Sequence, residues 1–377
     1  MSQTFKFEKI FVDEKVKDHE FTGIVLQKTK GIPVKIIKDA KKVVEDLALE
    51  DNSITRGKRF ILLTEKKGGF LKPCPGTSEY LCCDYYVLNI SENCVIDCTY
   101  CILQEYLMNP FITLFANWED SFNEINGFLS EKKNDLIRLG TGELSDSLAI
   151  EDIFPVSEKI LEFLKNRKNV IFEFKTKSEN IKKFLNLEPI NNAVFSFSLN
   201  TEKIAKEEEL KAPEPLKRIE AASKLAEEGW RVGFHFDPIV HYKNWEIDYH
   251  RVIKLLFSKV EAEKIAWISL GTLRFNPKLK PIIEKRFPKS KIIYGELIKG
   301  EDGKLRYFRP LRVELYKKIY NFIKENIQKY SRDKKSIRKI NIPVYLCMEN
   351  EDVWEEVFKW TPANSSVLNN YILKLFR

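Results

Sequence analysis

Nothing in this chain is apolar for long enough to span a bilayer, and the opening MSQTFKFEK has no hydrophobic segment of the kind that directs export. Neither membrane insertion nor secretion is expected. Histidine is scarce, with four in 377 residues, and no His or further Cys follows the tightest cysteine group at the spacing that closes a structural zinc site. What is present suffices for a core: the chain is 44% hydrophobic over a length that allows one large or two ordinary domains. The net charge of +8 is uneven, for residues 276–377 hold 23 Lys and Arg against 12 Asp and Glu. Residues 1–73 are also basic and the middle is acidic. Basic ends suit a phosphate-rich partner and suit equally a Lys-rich solvated surface.

The cysteine group is Cys94-Val95-Ile96-Asp97-Cys98-Thr99-Tyr100-Cys101, a C-x3-C-x2-C run directly after the apolar stretch Tyr85–Ile90. Three thiols in eight residues point to a metal. Zinc of the structural kind wants four protein ligands, whereas an iron–sulfur cluster held by three leaves one iron open for a substrate or cofactor. A zinc site or inert thiols stand as the alternatives. Cys74, Cys82 and Cys83 precede the loop at spacing poor for one ion; they read as buried thiols, hydrogen-atom donors or ligands of an accessory centre.

From residue 85 to 275 short apolar runs alternate with amphipathic segments, which predicts repeated βα units and a parallel sheet. Strands are expected near 85–91, 135–141, 169–176, 192–199, 231–237 and 265–272. Helices are expected near 118–130, 153–166, 179–186, 215–229 and 246–260. Pro215 and Gly229 bracket the fourth of these as start and stop signals should. A short amphipathic helix is expected over Asp39–Leu49. Several strand ends are polar: Lys175-Thr176-Lys177-Ser178, Ser196 to Asn200, and His235-Phe236-Asp237. By alternation, Ser196, Ser198 and Asn200 share one face, as do His235 and Asp237.

The cysteine run, with its aromatic Tyr100 before the last Cys, resembles the cluster loop of the radical S-adenosylmethionine enzymes. That resemblance implies a partial (β/α)6 TIM-like barrel, α/β in class, over residues 74–285, between an N-terminal α/β extension (1–73) and a basic C-terminal α/β region (286–377). It implies a [4Fe–4S] cluster on Cys94, Cys98 and Cys101, with S-adenosyl-L-methionine on the fourth iron. Gly140-Thr141-Gly142-Glu143, one βα unit later, resembles the family motif that meets the methionyl amine. Lys177, Ser198 and Asn200 are further candidates for cofactor contacts. A reducing electron donor, flavodoxin- or ferredoxin-like, is implied, and with it a reducing compartment; the cytoplasm is the expected location.

Longer stretches resemble the spore photoproduct lyase family in particular: CTYCILQEYL, ITLFAN, SDSLAIED, TKSENIKKFL, FSLNTE, RIEAASKLAEEGWRVGFHFDPIVHYKNWE and LRF (273–275), together spanning about 85–285. The resemblance implies hydrogen abstraction from a thymine lesion in DNA. Two positions depart from it. Glu143 stands where the family has a hydrogen-donating Cys, and Ile102 where it has a Tyr; Tyr100 is kept. A carboxylate O–H bond is much too strong to replace a thiol as donor, so Tyr100 and Glu143 are singled out as the catalytic positions that decide the activity. DNA or another nucleic acid is the expected partner, helped by the basic stretches Arg306–Arg309 and Ser331–Lys339. The competing readings are modification of a small molecule or protein, and a nucleic-acid-binding protein whose cluster is structural or redox-sensing.

Overall fold

The six apolar runs pair side by side. In this computed structural model, which describes residues 5–77, 80–333 and 341–376, the strands Tyr85–Leu88, Ile137–Gly140, Val170–Thr176, Ala193–Ser198, Arg231–Ile239 and Ile265–Thr272 form one curled parallel sheet in chain order. Parallel neighbours need a crossover on the outside of the sheet, and helices Ser121–Glu131, Ser157–Leu164, Pro215–Glu227 and Trp245–Lys259 provide most of them. The fold is the expected α/β half-barrel. Its strands are buried on both faces, which is why they read as near-continuous apolar runs.

Three features differ from expectation. The crossover near 179–186 is only a 3-10 turn, Lys182–Asn186. Local side chains compete for the backbone there: Ser178 N–H donates to Thr176 Oγ1 at 2.8 Å and Asn180 N–H to Ser178 Oγ at 3.1 Å. The barrel sheet also gains strands at both edges, Leu71–Pro73 antiparallel to the first strand and Val344–Leu346 parallel to the sixth. Ile112–Phe115, too short to show a period, is a strand as well.

That strand belongs to a second sheet, in the order Val34–Ile37, Lys9–Asp13, Phe60–Thr64, Ile112–Phe115 and Ser91–Glu92. The N-terminal region is α/β and includes the expected helix, Ala40–Ala48, capped by Asp39. Its sheet nevertheless draws two strands from beyond residue 73, and the barrel sheet draws one from beyond 285. The main apolar core runs from Phe7 through the barrel to Leu373, and a smaller cluster of Ile37, Leu47, Leu62 and Phe111 lies apart from it. After the sixth strand a small antiparallel sheet (Arg274–Phe275, Leu305–Tyr307, Leu297–Lys299) leads into the long helix Arg309–Asp333.

Trp230, fully buried just before the fifth strand, packs edge-on against Phe195 and donates its indole N–H to the Phe184 carbonyl at 3.1 Å. Trp230→Ala is expected to cost about 3–5 kcal/mol, read as a shift in the chemical-denaturation midpoint.

Candidate active site at the mouth of the barrel

The cysteine loop follows the first barrel strand, so it sits where the strands deliver their C-terminal ends, the face on which α/β barrels place their chemistry. Two residues of the loop region, Asn93 and Asp97, have left-handed backbone with φ of 70° and 60°, a conformation that Asn and Asp tolerate better than most residues. Asn93 fixes the entry by donating to the Pro110 carbonyl at 3.0 Å and accepting from Cys94 N–H at 2.9 Å. Asp97 is buried under three cations, Lys58 at 2.8 Å, Arg286 at 3.0 Å and Lys211 at 3.6 Å. Burial alone would raise its carboxyl; Lys58 and Arg286 instead bring it down to about 2. Gln104 gathers the exit, its amide N–H groups reaching the carbonyls of Cys98, Thr99 and Cys101 at 2.8–3.3 Å.

The two residues between Cys98 and Cys101 are tied to consecutive carboxylates. Thr99 bonds Glu208 through both hydroxyl and backbone N–H, and Tyr100 donates its hydroxyl to Glu209. Glu209 is 2% exposed and ion-paired with the fully buried Arg218 at 2.5 Å, while Lys177 lies 3.9 Å away and over the Tyr100 ring. Burial would raise the Glu209 carboxyl, and Arg218 with Lys177 holds it below the usual range.

The thiols themselves are enclosed. Burial pushes the Cys94 thiol up to about 12 and raises Cys98 well above its ordinary value, so a thiolate at either position needs a bound cation's charge, which cluster iron supplies. Among the described residues no three Cys, His, Asp or Glu side chains converge on a single-ion position. A cluster does not require that, since its thiolates ligate different irons. The donor set, three thiols with no fourth protein ligand among the described residues, fits a cluster with one open iron.

Beside the loop opens a cavity of about 290 Å3. Tyr100, Cys101 and Ile102 form one side, strand-borne Arg138, Glu143, Glu173, Lys175, His235 and Asp237 line its interior, and Cys74, Cys82, Cys83 and Cys347 form another side. Every carboxylate is partnered. Glu173 accepts from Trp267 Nε1 at 3.0 Å and pairs with His235 Nε2 at 2.8 Å; His235 Nδ1 lies 2.6 Å from Ser269 Oγ. Although burial opposes it, His235 and Arg138 hold the Glu173 carboxyl well below the usual carboxylate range. Glu143 pairs with Lys175 at 2.6 Å, and Asp237 takes both terminal nitrogens of Arg274 at 3.2 and 3.1 Å.

The expected site residues are therefore distributed unevenly. Tyr100, Cys101 and Glu143 face the cavity; Cys94, Cys98 and Lys177 do not line it, Lys177 lying over the Tyr100 ring and close to Cys98. Gly140 and Gly142 are needed by packing against the third strand: a Cβ on Gly140 would strike the Glu173 carbonyl and the Tyr85 hydroxyl, and one on Gly142 would stand 2.7 Å from the Lys175 carbonyl. Asn200 is buried, donating to the Pro238 carbonyl at 2.9 Å and accepting from Tyr249 at 2.8 Å, and so shapes the end of the fourth strand; Ser198 is buried beside it. Of the basic stretches, Arg306 is buried against Tyr80 and paired with Asp302 at 2.7 Å, Tyr307 is buried, and Arg309 is paired with Asp352 and Glu356. Most of Ser331–Lys339 lies outside the described residues. The sequence gives no role to Arg138, Glu173 or Glu209, and marks Arg274 only as part of the family-like LRF stretch. Arg138 carries a signal, a lone charge inside the otherwise apolar strand Ile137–Gly140, whereas Glu173 shares its strand with Lys175.

A three-cysteine loop on the first strand of a parallel half-barrel, opening onto a cavity at the strand ends, defines a radical S-adenosylmethionine enzyme. A family model for spore photoproduct lyase matches residues 77–338. The chain belongs to the spore photoproduct lyase family. It is 22% identical over 289 residues to a spore photoproduct lyase of Clostridium acetobutylicum, covering 76% of this chain and 84% of that one. To the enzyme of a Geobacillus species it is 26% identical over 214 residues, 56% of this chain and 63% of that one. Among solved structures, a cysteine-to-alanine mutant of spore photoproduct lyase with dinucleoside spore photoproduct superposes with a TM-score of 0.75 at 20% identity, covering 91% of this chain and 98% of that one. A double mutant with bound AdoMet and the same dinucleoside gives 0.72 at 19% identity, with the same coverage. No helix among the described residues is long and apolar enough to cross a membrane.

Glu173→Gln tests the electrostatics of the cavity. It leaves Arg138 without its buried counter-charge and His235 without its carboxylate partner, an effect of about 3–5 kcal/mol. Because the folded-state pKa of Glu173 is depressed, its contribution is present above the ordinary carboxylate pKa, near 4.3, and lost as pH falls. Denaturation of the two proteins at successive pH values should show the gap narrowing below about pH 4.

Proposed function

We propose that this protein uses a [4Fe–4S] cluster on Cys94, Cys98 and Cys101 to cleave S-adenosyl-L-methionine and act on a modified base in DNA or another nucleic acid. The observation that carries the reading is the junction of loop and cavity: Tyr100 and Cys101 belong to both. Cys94, Cys98 and Cys101 would hold the cluster, which would supply the electron for reductive cleavage of the cofactor. The chain's own residues do the rest. Glu208, Glu209 and Gln104 hold the loop in place, Glu143 and Lys177 offer one negative and one positive group to the cofactor's amine and carboxylate, and the strand ends enclose the substrate away from water. A small-molecule substrate is the second reading, favoured by one observation: Arg306, Tyr307 and Arg309 are engaged within the protein and present no phosphate-binding face.

Glu143 sits in the cavity as a salt-bridged carboxylate, where the family resemblance places a hydrogen-donating thiol. Repair of the spore photoproduct by that route lacks its donor. With anaerobically reconstituted protein, reductant, cofactor and synthetic dinucleoside photoproduct, 5′-deoxyadenosine should form while thymidylyl-thymidine stays at or below about one per enzyme. Many turnovers of repair would overturn this. Cys98→Ala should abolish 5′-deoxyadenosine formation, and near-native cleavage would sink the cluster assignment. The substrate class is tested by incubation with nucleic-acid and metabolite extracts, following deuterium transfer into 5′-deoxyadenosine; transfer from the metabolite fraction alone would favour the second reading.

A further inference from the structure

Four of the seven cysteines are not used by the cluster loop, and they come together. Cys74, Cys82, Cys83 and Cys347 line the same cavity, although they arrive from the turn after the edge strand Leu71–Pro73, from the approach to the first barrel strand, and from the end of the Val344–Leu346 strand. The Cys82 thiol is within hydrogen-bond reach of both Cys74 and Cys83. Two guanidinium groups donate to the outer members: Arg138 to Cys83 Sγ at 2.6 Å and Arg274 to Cys347 Sγ at 3.4 Å. Gly76 leaves room for the group, since a Cβ there would meet the Cys82 sulfur at 3.0 Å.

The surroundings are unsatisfied in a way that points to a ligand. Arg138 is 1% exposed, its Nε has no hydrogen-bond partner, and the equally buried Tyr85 hydroxyl on the same wall has none either. A buried guanidinium aimed at sulfur suits a thiolate or a sulfide far better than a neutral thiol, because a neutral thiol is a weak acceptor that returns little for the desolvated charge. We propose that Cys74, Cys82, Cys83 and Cys347 hold a second iron–sulfur cluster in the wall of the cavity, facing the cluster loop.

Four thiols are the ligand set of an iron–sulfur cluster and of structural zinc alike. The guanidinium donors of Arg138 and Arg274 tip the choice, because they supply the hydrogen bonds to sulfur that tune iron–sulfur clusters. Four protein thiolates also close the second centre, whereas three leave the first open. The two clusters therefore differ in one measurable respect: S-adenosylmethionine should perturb the spectrum of the first and not of the second.

The test uses the full chain, reconstituted anaerobically with ferrous iron and sulfide. Cys94→Ala/Cys98→Ala/Cys101→Ala removes the first centre, and Cys82→Ser/Cys347→Ser disables the second; circular dichroism checks that each is folded. The triple variant should retain roughly half the iron and sulfide of the native chain, and after reduction give an electron paramagnetic resonance signal unchanged by S-adenosylmethionine. The double variant should retain the other half, with a signal that the cofactor shifts. A folded triple variant without iron, or one that takes up zinc alone, overturns the second centre. Failure of the cluster-loop assignment looks different: the double variant, not the triple, would then have lost all its iron.

Discussion

The buried carboxylate of Glu209 is the constraint on which the mouth of the barrel depends. A charge withdrawn from water must be matched at close range or it destabilises the fold by several kcal/mol. Here Arg218 matches it at 2.5 Å, and the same Arg218 donates to the carbonyls of Pro213 and Ser198, fastening the end of the fourth strand to the helix that follows. Tyr100 and Lys177 complete the shell from the cysteine loop and the third strand. With Glu208 holding Thr99 and Ser290 next door, a loop without regular structure of its own acquires a fixed position from charges that have nowhere else to go.

The same economy governs the cavity. Glu143, Glu173 and Asp237 each have a cation or imidazole within 3.2 Å, so the strand ends present a dense polar surface with no carboxylate left alone. Such a surface keeps its geometry when a ligand arrives, because each group is already held by a partner on another strand. It suits chemistry in which a reactive intermediate must meet one atom of its substrate and no other.

Much of this was legible in the sequence. The six barrel strands, most of the crossover helices and the cysteine loop at the barrel mouth all follow from period, punctuation and cysteine spacing, because each depends on residues close together in the chain. The missed elements depend on distant ones. Ile112–Phe115 is a strand because Phe60–Thr64 offers it an edge, and Val344–Leu346 because Ile265–Thr272 does. Likewise nothing beside Glu209 or Arg274 in the chain names a partner; only the fold brings them to Tyr100 and Asp237. The GTGE turn resembles a cofactor-contacting motif, and in the structure the space freed by Gly140 and Gly142 is taken by the third strand.

The edge strand Val344–Leu346 has a consequence for the order of events in the cell. It carries Tyr345, Leu346 and Cys347 into the cavity wall, yet it is synthesised long after the cysteine loop that faces it. During translation the loop and its thiols emerge first and wait beside an open sheet edge, a non-local pairing of the kind that closes slowly. Oxygen and stray metals have their best access in that interval. A group taken up by the loop would therefore enter most easily before the last wall is in place.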